Sequence, residues 1–126
     1  MSDAKPTPDQ LRAKHAWEVV ERVKGSKDAK LFGGAARKLP VRIMASGLGQ
    51  ALAFLAAKGK TPALLDALDK WVLPKQSVAK TLLNAIIQGT ADDLRMYTAE
   101  VLAYLQWLNR FCEANKLSDD TNSDGS

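Results

Sequence analysis

The sequence predicts an all-α protein, a single compact bundle of about six helices with a long C-terminal helix. Three observations predict it. Apolar residues recur at helical spacing through most of the chain, and nowhere do they alternate with the period of a strand. Threonine, proline and glycine fall where helices should start and stop. At 126 residues and 46% hydrophobic content, the chain fits one domain that can bury a packed core. Residues 1–6 are expected to be a flexible N-terminus, 7–117 the helical bundle, and 118–126 a disordered acidic tail.

Thr7-Pro8-Asp9-Gln10 reads as a capping box in which Thr7 caps, Pro8 takes the first turn and Gln10 reaches back. The first helix then runs to about Lys24, with Ala13, Ala16, Val20 and Val23 on one stripe and Trp17 beside it. A second helix should start near Lys27 or Asp28. It should stop at Leu39, because proline pushes the preceding residue out of the helical region. Gly33-Gly34 weakens it by about 1 kcal/mol per glycine relative to alanine.

Pro40 is expected to open the third helix, which continues to Lys58 with Gly59 as its left-handed terminator. Val41, Met44, Leu48, Ala51, Leu52 and Leu55 follow helical spacing, and Ile43, Gly47 and Phe54 add a second apolar face. Ser46, Gly49 and Ala53 form a strip of small residues, suited to core packing or to an interface. Thr61-Pro62 starts the fourth helix, with Leu64, Leu65, Leu68, Trp71 and Val72, and Pro74 breaks it. The fifth helix is expected from about Ser77 to Gln88, with Val78, Leu82, Ala85 and Ile86 inward. Thr90-Ala91-Asp92-Asp93 starts the sixth, whose roughly 25 residues would span about 38 Å.

Composition excludes several classes of function. The longest apolar run, Ala51 to Ala57, is far short of a membrane span, and the first residues lack the apolar core of a signal peptide. Cys112 has no partner for an internal disulfide, and with His15 it cannot build a zinc site. The protein is therefore expected to be cytoplasmic, without metal or cofactor. His15 has no serine or cysteine within helical reach and reads as a surface or boundary residue, and Cys112 reads as a small core hydrophobe. Asp92 and Asp93 suit the positive end of the sixth helix. Asp66 with Lys70 and Glu18 with Arg22 have the spacing of helix-surface ion pairs. Nothing in the sequence argues for an enzyme.

Charge is the positive signal. Residues 1–60 hold 12 Lys/Arg against 5 Asp/Glu, residues 61–117 hold 6 of each, and 118–126 hold only Asp119, Asp120 and Asp124. Such asymmetry points to a polyanionic partner for the first half, or to a solvated surface. The basic set is Arg12, Lys14, Arg22, Lys24, Lys27, Lys30, Arg37, Lys38 and Arg42. Arg37, Lys38 and Arg42 straddle the expected Leu39-Pro40 break, where a turn could present them together. Groups spaced in this way neutralise phosphates without reading bases. Few aromatic residues look exposed enough to act as stacking platforms, and no recognition helix follows a short glycine turn.

Arg37-Lys38-Leu39-Pro40, then Gly47-Leu48, then Ala51-Leu52-Ala53-Phe54-Leu55 with Lys58, resembles the small subunit of type III-B CRISPR effector complexes, the Cmr complexes. Tyr97-Thr98-Ala99-Glu100 with Leu102, followed by Trp107-Leu108-Asn109-Arg110-Phe111 and Glu113-Ala114, is similar to that family's C-terminal helix. The match extends from about Leu11 to Lys116. The resemblance implies a six-helix bundle that stacks with copies of itself into a short filament. That filament would lie beside the backbone subunits and near the large polymerase-like subunit, in antiviral defence. It also implies a non-catalytic role in which positive charge lines the path of guide RNA and target RNA. Arg37, Lys38 and Arg42 match the family's basic residues around the Leu-Pro pair, while Lys24, Lys27 and Lys30 are added from charge alone. Gly33-Gly34 and the acidic tail match nothing in the pattern. The small subunit of the related type III-A complex and a protein-only helical adaptor remain alternatives. A DNA-binding regulator would need a reading helix that the sequence does not offer.

Overall fold

Thr7 starts the first helix by closing hydrogen bonds in both directions. Its hydroxyl accepts the Gln10 N–H at 3.1 Å, and the Gln10 side chain accepts the Thr7 N–H at 2.7 Å. In the computed structural model, which describes residues 4–117, six helices follow in order, and no strand occurs among the described residues. They are α1 (Pro8–Val23), α2 (Ala29–Ser46), α3 (Leu48–Lys58), α4 (Pro62–Val72), α5 (Leu82–Gln88) and α6 (Ala91–Ala114). The disorder expected of 118–126 lies outside the described residues.

α6 is 24 residues long, about 36 Å, and its main partners are α1 and α2. Thr90 and Asp93 form a second reciprocal capping box at its start, both bonds at 3.1 Å. Val101, Tyr104, Leu105, Leu108 and Cys112 bury one face of α6 against Val19 and Val20 of α1, Phe32 and Leu39 of α2, and Leu64 and Leu68 of α4. Cys112 is therefore a core residue, as its place in the apolar stripe predicts.

The Leu39-Pro40 break does not occur. α2 runs straight through Pro40 and ends at Gly47, whose φ of 88° and ψ of 159° leave helical space. A proline inside a helix removes one N–H and orphans the carbonyl four residues back. Here that carbonyl belongs to Ala36, and the Asn109 side chain of α6 donates to it at 3.0 Å. The fault is thus repaired from another helix. The turn at Gly47 also resets the helical phase, so Leu48, Ala51, Leu52 and Leu55 are buried while Val41 and Met44 are 73% and 76% exposed.

α5 is shorter than expected. Thr81 accepts the Asn84 N–H at 3.1 Å, and Asp69 of α4 accepts the Leu82 N–H at 2.8 Å. These two bonds fix the start at Leu82, leaving Val78 in the preceding loop and 96% exposed rather than inward. The two neighbouring glycines of α2 also separate. A Cβ on Gly33 would come within 2.7 Å of the Leu117 backbone, whereas one on Gly34 would meet nothing. Gly33 is the seat on which the buried Leu117 lands.

Candidate nucleic-acid interface

Because α2 is continuous, its cations lie along one helix rather than around a turn. Lys30, Arg37 and Met44 are seven residues apart in turn, and Val41 lies between the last two, so they share a stripe. Lys38 and Arg42 flank that stripe at i, i+4. Lys30 and Arg42 stand about 18 Å apart along the axis. Among the described residues, none of Lys30, Arg37, Lys38 and Arg42 has a carboxylate within ion-pair distance.

Arg42 is held by an aromatic ring instead. Its guanidinium carbon lies 3.8 Å from the centroid of Phe54 in α3, and the Lys58 ammonium lies 5.5 Å from the same ring. The ring's negative face attracts both cations, by about 0.5–1 kcal/mol each at a site this exposed. A stacked guanidinium also has a second face on which a base can stack. Phe54 and Lys58 are absent from the candidate residues drawn from the sequence. Phe54 and Lys58 at i, i+4 are a visible signal, but Arg42 joins them only because the chain folds back at Gly47.

The added cations divide. Lys24 caps the end of α1 and its ammonium lies 3.1 Å from Glu21, while Lys27 sits exposed in the turn before α2. Lys30 alone of the three lies on α2, facing the same way as Arg37.

Arg12 does not join the unpaired cations of α2. Its Nε and Nη2 donate to the two Glu100 oxygens at 2.6 and 2.9 Å, Nη1 donates to Asp9 at 3.1 Å, and Trp71 Nε1 donates to Glu100 at 2.7 Å. The bond from Arg12 holds the Glu100 carboxyl below its ordinary range, and that carboxylate raises the guanidinium in turn. Beside this group, His15 Nδ1 is hydrogen-bonded to the Tyr104 hydroxyl at 2.8 Å, and the Trp71 ring stacks on Tyr104 with centroids 5.7 Å apart. Burial lowers the His15 pKa from its ordinary 6.5. His15 is half-buried, a boundary residue locked between α1, α4 and α6. Of the two expected helix-surface pairs, Lys70 and Asp66 meet at 3.5 Å.

No group of three or more candidate metal ligands occurs among the described residues, and no described helix is long and apolar enough to cross a membrane. The family model for the CRISPR-associated Cmr5 proteins matches residues 8–115. The chain belongs to the Cmr5 family. A curated relative, the CRISPR system Cmr subunit Cmr5 of Thermus thermophilus, is 30% identical over 108 residues, covering 86% of this chain and 95% of its own. A crystal structure of a Cmr5 family protein from Thermus thermophilus matches with a TM-score of 0.76 at 29% identity, over 87% of this chain and 97% of that one. The family expected from the sequence is therefore the family found. Within this Cmr5-family chain, the Leu39-Pro40 and Trp107–Phe111 motifs are joined physically, through the bond between Asn109 and Ala36.

Proposed function

We propose that this chain is the non-catalytic small subunit of a type III-B (Cmr) CRISPR effector complex, and that the exposed face of α2 lies against RNA phosphates. Family membership over residues 8–115 supports the place in the complex. The observation that carries the contact is the row Lys30, Arg37, Lys38 and Arg42, which meets no carboxylate among the described residues. Cations without an internal carboxylate keep their charge available to a polyanion, and burying phosphate oxygens beside them releases counterions. In this role the subunit stacks with its own copies beside the backbone and large subunits. It positions guide and target RNA and leaves the chemistry to its neighbours.

Replacing Arg37, Lys38 and Arg42 together by alanine should weaken single-stranded RNA binding while leaving helical content unchanged. Fluorescence anisotropy at several salt concentrations should show the logarithmic slope falling by about 0.7 for each phosphate that is no longer neutralised. An unchanged slope, in the isolated chain and in the assembled complex, would move the RNA to another surface.

A second reading has its own support. Val41 and Met44, 73% and 76% exposed on the same stripe, suit a protein neighbour better than a phosphate. If Val41→Ser with Met44→Ser disrupts assembly while the triple alanine variant binds RNA normally, α2 is a protein-facing surface.

A further inference from the structure

The turn at Gly47, with its φ of 88°, folds α3 back along α2 and sets Phe54 beneath Arg42. Phe54 is 38% exposed, so the fold leaves an aromatic face at the surface where the sequence offered few. The Arg42 guanidinium lies 3.8 Å over that ring and meets no carboxylate among the described residues. Arg42 is half-buried, so its side chain is already held in one place before any ligand arrives. A planar cation fixed in this way loses little rotamer freedom on binding.

The residues around the ring fit the same ligand. Gln50, Phe54 and Lys58 follow one another at i, i+4 and i+8 along α3, so they share one face, and all three are exposed. Gln50 and Lys58 stand about 6 Å along the axis to either side of Phe54. The Lys58 ammonium lies 5.5 Å from the ring centroid. The face thus carries an amide that both donates and accepts, a planar stack and an ammonium. A nucleotide presents the complementary set: a base edge, a base face and a phosphate. A phosphate track alone needs neither the ring nor the amide.

We propose that Arg42, Phe54, Lys58 and Gln50 form a subsite for one unpaired RNA nucleotide. Its base stacks on the Arg42–Phe54 platform, its phosphate lies against Lys58, and Gln50 meets the base edge. A base inside a duplex is stacked on both faces, so the subsite takes a nucleotide that lies outside one. Stacking tolerates any base, because every base has a π face, and a rotating amide suits donors and acceptors alike. The subsite rests on the RNA contact given under Proposed function. It stands at the end of the row Lys30, Arg37 and Lys38 on the helix that carries Arg42, so a strand tracking that row arrives at the platform.

The test uses two single-stranded RNA oligomers of equal length and charge, one carrying a fluorescent adenine analogue among ordinary bases and one made of abasic ribose phosphates. The full chain should prefer the base-bearing strand by about tenfold, the scale of one base stacked on a side chain, and the analogue's fluorescence should change on binding. Arg42→Lys keeps the charge and loses the plane, while Phe54→Leu keeps an apolar side chain and loses the ring. Each should erase the preference and the fluorescence change, and leave the abasic strand's affinity and its salt slope as they were. Equal binding of the two strands by the full chain, or variants that keep the preference, overturns the stacking while the salt slope still reports the phosphate contact. Lowered thermal stability in both variants with the preference intact makes the Arg42–Phe54 pair a clasp between α2 and α3, and also overturns the subsite. Binding of neither strand, by the isolated chain and by the assembled complex, overturns the phosphate contact and the subsite together.

Discussion

The α1–α6 seam and the outer face of α2 both carry cations and use them in opposite ways. In the seam, Arg12 gives three donors to two carboxylates, and Glu100 is shared with the indole of Trp71. On α2, Lys30, Arg37 and Lys38 stand exposed, and Arg42 leans on the ring of Phe54. The difference teaches that a basic residue points to a polyanion only after the carboxylates within its reach are known. A partly buried guanidinium must find acceptors inside the fold, because desolvating an unpaired charge costs more than the fold can supply. An exposed one has no such need.

The comparison would break if the seam proved dispensable. Replacing Glu100 by alanine leaves Arg12 half-buried with only Asp9 and removes the acceptor of Trp71, so urea denaturation should show a loss of about 3 kcal/mol. The Arg37, Lys38 and Arg42 triple alanine variant should stay within about 1 kcal/mol of the parent, at most one cation–π contact. Equal losses would mean that both surfaces serve the fold.

The two glycines of α2 sharpen it next. Gly33→Ala forces Leu117 off its seat and should cost about 2 kcal/mol. Gly34→Ala, with open space around it, should stabilise by about 0.5 kcal/mol by restricting the unfolded chain. Thermal melts of the two variants should move in opposite directions.

A smaller effect is expected at Asn109. Asn109→Ala removes the donor to the Ala36 carbonyl and should cost about 1 kcal/mol. In a Pro40→Ala background the backbone N–H returns, so the same change should cost measurably less, and a double-mutant cycle reads the coupling. Additive losses would detach Asn109 from the proline.

The smallest effect is pH dependence from His15. Burial depresses its folded pKa below the ordinary 6.5, so the unfolded chain binds the proton more readily. Stability should therefore be full above pH 6.5 and decline as pH falls through the folded value. His15→Gln should remove that part of the decline, which chemical denaturation at pH 7.5 and 5.5 would detect.

Elements whose ends are set locally were legible in the sequence. Thr7 with Gln10, Thr90 with Asp93, and Gly59 place their boundaries within a residue or two, because each device closes within one turn. The end of α2 was not, because the donor that lets it continue past Pro40 lies in α6. Val41 and Met44 fall outside the buried stripe for the same reason, since the phase of a stripe depends on where its helix ends. The start of α5 was hidden likewise, as Asp69 reaches it from α4. Of the candidate site, the cations of α2 were visible as residues and their common face was not. In sequence Arg12 and Arg37 are alike, and only the fold sets Glu100 beside the first.

Pro40 and Asn109 form a covenant between two distant positions in the sequence. Either residue looks unremarkable when aligned in isolation, and each makes sense only when the other is present. Among relatives of this chain, loss of the proline should relax the demand for an amide at the second position, whereas loss of the amide alone should be rare. Substitutions at the two sites should therefore be read, and engineered, as one unit.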